Sequence, residues 1–210
     1  MKLLVVTAVE REAAACAGIP GAVVVAGGVG RTNAAVATTR AQLEQGPFDA
    51  VLSMGVAGAL PGSGLDLGDI VVGTSAVYME EGIDTPEGFG DTSSLGFPLG
   101  DFTGNAVPAD PALLERLAPL GRSGPIATVA TCSGTDESAE RVAVRTGAIA
   151  EAMEGAAVLH AGRLLGLPGV EIRSISNTTG NRGCQEWDLD RGIQALEQAL
   201  GPMSALLQAD

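Results

Sequence analysis

The feature that most constrains this chain is the run Lys2–Ala8, which is apolar almost from end to end and shows no polar–apolar alternation. A strand of that kind is buried on both faces, so it asks for a sheet with helices packed on either side. The pattern that follows agrees. Strands are expected at Ala22–Ala26, Ala50–Met54, from Gly68 to about Met79, Pro125–Thr131, Ala148–Ala152 and Gly169–Ser176. Helical patterns lie between them, starting at Val9 and spanning Arg31–Gln45, Pro111–Leu120, Asp136–Thr146 and Gly155–Leu165, with a last one over about Leu189–Gln208. Alternating strands and helices predict one α/β domain over residues 1–210 with a largely parallel sheet, without linker or internal repeat.

Composition narrows the function. A formal charge of −13 argues against nucleic acid and anionic membrane as partners. Met1-Lys2 leads straight into a short apolar run without a cleavage signal, and no run approaches a membrane span, so a cytoplasmic location is expected. Cys16, Cys132 and Cys184 have no metal-like spacing, and their odd number argues against a disulfide framework. His160 is the only histidine and is expected to pack in its helix; without a second one, a zinc site or a serine-hydrolase triad has little to work with. Gly27-Gly28-Val29-Gly30 resembles the start of a dinucleotide fingerprint, but Asn33 stands where the third glycine belongs. Neither a metal nor a cofactor is expected.

Residues 80–107 break the rhythm: Gly, Asp, Ser, Thr and Pro dominate, and no period is visible. Three of the four phenylalanines, Phe89, Phe97 and Phe102, fall here in a chain only 3% aromatic. They are expected either to cover an aromatic ligand or subunit contact, or to form a small satellite cluster.

Polar groups gather where apolar runs end. Ala150–Ala157 (Ala-Glu-Ala-Met-Glu-Gly-Ala-Ala) places Glu154 in the first turn of a helix, where backbone N–H groups steady a carboxylate that can accept two hydroxyls of a sugar. The plainer expectation is that Glu154 only complements the helix dipole. Glu10 and Glu12, the small turn Gly55-Val56-Ala57-Gly58, Met153, and Arg173-Ser174-Ile175-Ser176-Asn177 also follow strands. A parallel sheet would bring them to one edge, where α/β proteins bind ligands. Carboxylates, a guanidinium, an amide and a glycine-lined floor suit a polar sugar with a heterocycle.

These motifs resemble the nucleoside phosphorylase and nucleosidase superfamily. The stretches that carry the likeness are Thr7–Glu12, Gly28–Ala35, Gly55–Leu60, Gly68–Val72, Glu151–Ala157 and Ile172–Asn177, in family order over nearly the whole chain. The resemblance is greatest to the bacterial nucleosidase branch with methylthioadenosine/S-adenosylhomocysteine nucleosidase and futalosine hydrolase. It implies a single-domain, three-layer nucleoside phosphorylase-like fold with a mostly parallel (mixed) central sheet, and a homo-oligomer with shared sites. It also implies site roles: Glu12 as general base, Glu154 on the ribose hydroxyls with Met153 against the sugar, Arg173 placing the water or Glu12, and Ser176 among the substrate-binding residues. Gly55, Val56, Ala57 and Gly58 would form the floor.

Asn177 departs from the adenine-releasing members, which carry Asp there. An amide NH₂ can donate to N7 or to a 6-oxo group, so Asn suits hypoxanthine better than adenine. Carboxylates after the first strand would repel phosphate, so water is the expected nucleophile. Hydrolysis of a hypoxanthine nucleoside points, by resemblance, to the futalosine hydrolase subgroup of the alternative menaquinone pathway, and Ser176–Arg182 followed by Trp187 resembles that subgroup's final motif. The alternatives are an adenine nucleosidase, a purine nucleoside phosphorylase, or a binding module without catalysis. For a carboxyphenyl group at the 5′ end, the expected contacts are Phe89, Phe97 or Phe102 for the ring and Arg31 or Arg182 for the charge.

Overall fold

The computed structural model describes residues 1–208, which form a three-layer α/β domain. Strand β1 (Leu3–Thr7) is buried throughout. Leu3 and Val5 face a core with Cys16 of α1 (Glu10–Cys16), Leu113 and Leu117 of α3 (Pro111–Leu117), and Leu196 and Met203 of α6 (Leu189–Gln208). Leu4 and Val6 face the opposite core, with Ala34 and Ala41 of α2 (Arg31–Gln45) and Ala156–Leu159 of α5 (Gly155–Leu164). The two-sided burial expected of the first apolar run is met by helices on both faces.

Strand β2 (Ala22–Ala26) and β3 (Ala50–Ala59) flank β1 in parallel. On the other side of β3 lies β10 (Gly169–Thr178), also parallel, which pairs in turn with β4 (Ile70–Tyr78) antiparallel. Strand β8 (Arg122–Thr128) runs parallel to β4, and the short β9 (Ala150–Ala152) runs parallel to β8 and antiparallel to β3. The circuit β3–β10–β4–β8–β9 therefore closes on itself. Helix α4 (Asp136–Thr146) sits beside β8.

Two expectations need correction. Gly55–Gly58 is not a turn after the third strand; β3 continues through it to Ala59, pairing with β10 on one side and β9 on the other. Residues 80–107 are not an aperiodic loop either. They hold a hairpin of β5 (Gly82–Thr85) and β6 (Gly88–Asp91), followed by β7 (Ala106–Pro108) on the edge of β4. The hairpin is exposed along most of its length, so no buried face marks it in the sequence.

Among the described residues, no helix is long and apolar enough to cross a membrane.

Candidate active site

The site grows from the ends of β1, β3, β9 and β10. Glu12 is the third residue of α1, and its side chain turns back across the helix start. Oε2 accepts from the N–H of Ala8 at 2.9 Å and of Val9 at 3.2 Å. This is the carboxylate half of a capping box; Val9, as N-cap, has no side-chain oxygen to return the bond. Oε1 accepts from the N–H of Val56 at 2.9 Å, which ties the helix start to β3. Glu12 is only 3% exposed yet lines the cavity, whereas Glu10 is exposed outside it. The structure thus separates the two acids, and only Glu12 faces the site.

Gly55 makes this possible. A Cβ there would stand 2.4 Å from Oε1 of Glu12 and 2.6 Å from Nη1 of Arg173, too close for any side chain. The glycine read from sequence as a ligand floor is instead the gap into which an acid and a guanidinium both fit.

Arg173, on β10, is buried and does not line the cavity. Its Nε donates to Oε1 of Glu171 at 2.8 Å, and its Nη2 donates to Ser53 Oγ at 3.2 Å and to Oε2 of Glu154 at 3.4 Å. Nη1 reaches the carbonyl of Val56 at 3.4 Å. Of the two expected roles, placing the water or placing Glu12, these contacts put the guanidinium behind Glu154 and next to Glu12 across Gly55, not on the cavity wall. Burial pushes the Glu171 carboxyl up to about 7, against the pull of Arg173.

Glu154 occupies the N-cap position of α5, but its side chain makes no capping bond to that helix. Oε1 accepts from the N–H of Gly30 at 2.9 Å, and Oε2 from the N–H of Met153 at 3.3 Å as well as from Arg173. The plainer expectation, that the acid merely complements the helix dipole, does not describe these contacts. The glycine turn Gly27–Gly30 has its use here, since Gly30 holds φ at +93° while handing its N–H to Glu154.

At the other end of the cavity, Asn177 Oδ1 accepts from Ser176 Oγ at 2.9 Å, and Asn177 Nδ2 donates to the carbonyl of Thr178 at 3.0 Å. The acceptor-only carbonyl of Thr178 fixes which side of the amide is the NH₂, leaving the second N–H of Nδ2 as a donor. Gly58 lies alongside: a Cβ would come within 2.8 Å of Asn177 Nδ2. Glu151 faces the same space, with Oε1 accepting from Ser133 N–H at 2.8 Å and Oε2 from Ser133 Oγ at 2.6 Å. Burial pushes its carboxyl above the usual range, opposed by both Ser133 donors.

These groups enclose a cavity of about 430 Å³. Glu12, Val56, Gly58, Met153, Glu154, Ser176, Asn177 and Arg182 all line it; Gly55 and Ala57 lie beneath, Ala57 offering its carbonyl to Ser176. Arg182 stacks on the Trp187 ring at 4.5 Å and bonds Gln185, at the Asn177 end.

Phe89 is not part of this cavity. It lies under Arg145, 4.0 Å from the guanidinium to the ring, in a larger groove of about 620 Å³ beside β4 and α4. Phe102 packs edge-on against half-buried His160 at 5.1 Å, and Phe97 is exposed. Arg31 is held by Glu80 and Glu81, so its charge is already matched. Gly30, Ser133 and Glu151 were not assigned roles from the sequence. Glu151 stands in the same octamer as Glu154, and Cys132-Ser133-Gly134, small and polar after β8, is a usable sequence signal.

Residues 16–209 match the family model described as the phosphorylase superfamily. A futalosine hydrolase of Streptomyces coelicolor is 34% identical over 192 residues, covering 88% of this chain and 79% of the relative. One from Thermus thermophilus is 37% identical over 181 residues, covering 82% and 76%. The solved structure of the Helicobacter pylori futalosine hydrolase superposes with a TM-score of 0.78 at 20% identity, covering 98% of this chain and 97% of that one. The chain belongs to the phosphorylase superfamily.

Proposed function

We propose that this chain is a nucleosidase that hydrolyses the N-glycosidic bond of futalosine, releasing hypoxanthine and leaving dehypoxanthine futalosine. The observation that carries the reading is the amide of Asn177 on the cavity wall, whose Nδ2 is held by the Thr178 carbonyl and keeps one N–H to donate. The futalosine hydrolase relatives at 34% and 37% identity support the same substrate.

Breaking the bond moves its electron pair onto the purine and leaves positive charge on the sugar ring. In this reading Nδ2 of Asn177 hydrogen-bonds N7 or the 6-oxo group, where negative charge builds. Glu154 binds the ribose hydroxyls, with Met153 against the sugar. Glu12 takes a proton from the water that bonds to the anomeric carbon, and that proton balances the one the released base picks up. Arg173 is a positioning residue that holds Glu154. Glu12 and Glu154 both present carboxylates to the space beneath the sugar, and that favours water over a phosphate dianion. Arg182, placed at the base end, is not assigned to the 5′ substituent. The protein is read as a homo-oligomer acting in the cytoplasm.

A panel of nucleosides assayed for free base, with and without phosphate, tests this. Hypoxanthine released from futalosine in phosphate-free buffer is the expected result. Release only when phosphate is added would make the chain a phosphorylase, and binding without any turnover would make it a non-catalytic module.

A further inference from the structure

We infer that Glu171 is a positioning residue for the reaction: from beneath the cavity it sets how much of the Arg173 charge reaches Glu154. This rests on the reading of the chain as a nucleosidase in which Glu154 grips the ribose.

The cluster is short of positive charge. Glu12, Glu154 and Glu171 are all buried, and among the described residues the one guanidinium they share is that of Arg173. Three carboxylates around one cation leave a surplus of negative charge that burial makes costly. The donors are divided unequally. Glu12 accepts from three backbone N–H groups, those of Ala8, Val9 and Val56. Glu154 accepts from two, Gly30 and Met153, besides Arg173. Glu171 has Arg173 alone: Oε1 takes the Nε bond at 2.8 Å, and Oε2 is buried with no hydrogen-bond partner among the described residues. The surplus is relieved with least loss by a proton on Oε2, and burial pushes this carboxyl up to about 7.

The surroundings leave room for this carboxyl and add no further charge. A Cβ at Gly155 would overlap it, so the glycine directly after Glu154 keeps the space open. Ser53 of β3, its registered neighbour, and Gly73 of β4 are uncharged. The other charged groups of α5, His160 and Arg163, are turned to Tyr78 and Asp101. Glu12 of α1 meets the far, Nη1 side of Arg173. When Glu171 is neutral, its carbonyl oxygen still accepts from Nε, and the guanidinium gives its charge to Glu154. When Glu171 ionises it competes for that charge, and the longer bond, from Nη2 to Glu154 at 3.4 Å, is the one that weakens. The grip of Glu154 on the ribose loosens with it.

The test follows kcat/KM for hypoxanthine release from futalosine between about pH 5 and about pH 9 in wild type, Glu171→Gln and Glu171→Met. In wild type a fall of about ten-fold is expected as pH rises through about 7. Protonation of Glu12 as the base gives a limb of the opposite sign, so the two titrations are distinct. Gln and Met cannot ionise, and both variants are expected to stay level where wild type falls. Gln, which still accepts from Nε, should keep the low-pH rate of wild type, and Met should lie below it. A purely structural role would scale the rate alike at every pH. A wild type without the fall, or a fall that persists in either variant, would overturn the assignment. A wild type that releases no hypoxanthine from futalosine at any pH would overturn the functional reading instead, so the two failures are told apart.

Discussion

The backbone N–H of Gly30 donates to Oε1 of Glu154 at 2.9 Å, joining a glycine turn after β2 to the start of α5 across 124 residues of sequence. With Arg173 on Oε2, this bond leaves the carboxylate one orientation, facing the cavity rather than its own helix.

Replacing Glu154 with Ala removes that hub. Arg173 keeps Glu171 but loses its second carboxylate, and the Gly30 N–H loses its acceptor. A stability loss of roughly 2–4 kcal/mol is expected from the disrupted buried pair. Loss of transition-state contacts to the sugar should lower kcat/KM by about 10²-fold or more. Urea unfolding midpoints and steady-state kinetics measure the two effects separately.

Glu12→Gln keeps the shape but removes the base. A fall in kcat of about 10²–10⁴ is expected, with KM nearly unchanged, because proton transfer is a transition-state contribution. A comparable rise in KM would show that Glu12 serves binding instead.

Glu171 predicts a pH dependence of stability. Its carboxyl titrates near 7 in the folded protein, above its ordinary value of 4.5. Between those values the folded state holds the proton that the unfolded state has lost, so the stability contributed by Glu171 falls as pH rises from about 4.5 to 7. Glu171→Gln lacks this titration. Its melting temperature relative to wild type should be higher at pH 8 than at pH 5, and scanning calorimetry at the two pH values checks the sign.

The thiols offer a chemical probe. Cys16 is buried, with its thiol pushed up to about 12 by burial, and should stay unreactive in the native protein. Cys132 is an exposed residue at the cavity wall whose sulfur is partly covered, and that partial burial, with the Glu151 and Glu154 carboxylates nearby, pushes its thiol up as well. Alkylation at Cys132 is expected to be slow at pH 7, faster at pH 9, and inactivating. Bound hypoxanthine should protect it, as mass spectrometry of the labelled peptide will show.

Much of the fold could be read from the chain because its signals are local. Ala22–Ala26, Arg31–Gln45 and Asp136–Thr146 occur as expected, each an apolar run or helical period with clear ends. The exposed β5–β6 hairpin has no buried face to create a pattern. Gly55–Gly58 suggested a break, because glycine in a strand reads the same whether the chain turns or a neighbouring side chain needs the space. The family motifs picked out Glu12, Met153, Glu154 and Asn177, which the structure brings into one cavity. Sequence could not show that Arg173 sits behind Glu154 or that Phe89 lies under Arg145, since both depend on pairings between distant strands and helices.

The most direct test of the account is the ratio of kcat/KM for futalosine to that for its 6-amino counterpart, measured without phosphate in wild type and Asn177→Asp. A wild-type ratio of about 10² or more, falling sharply in Asn177→Asp as the acid becomes able to serve adenine, is the predicted result. A wild-type ratio at or below one, or a ratio the substitution leaves unmoved, would contradict it.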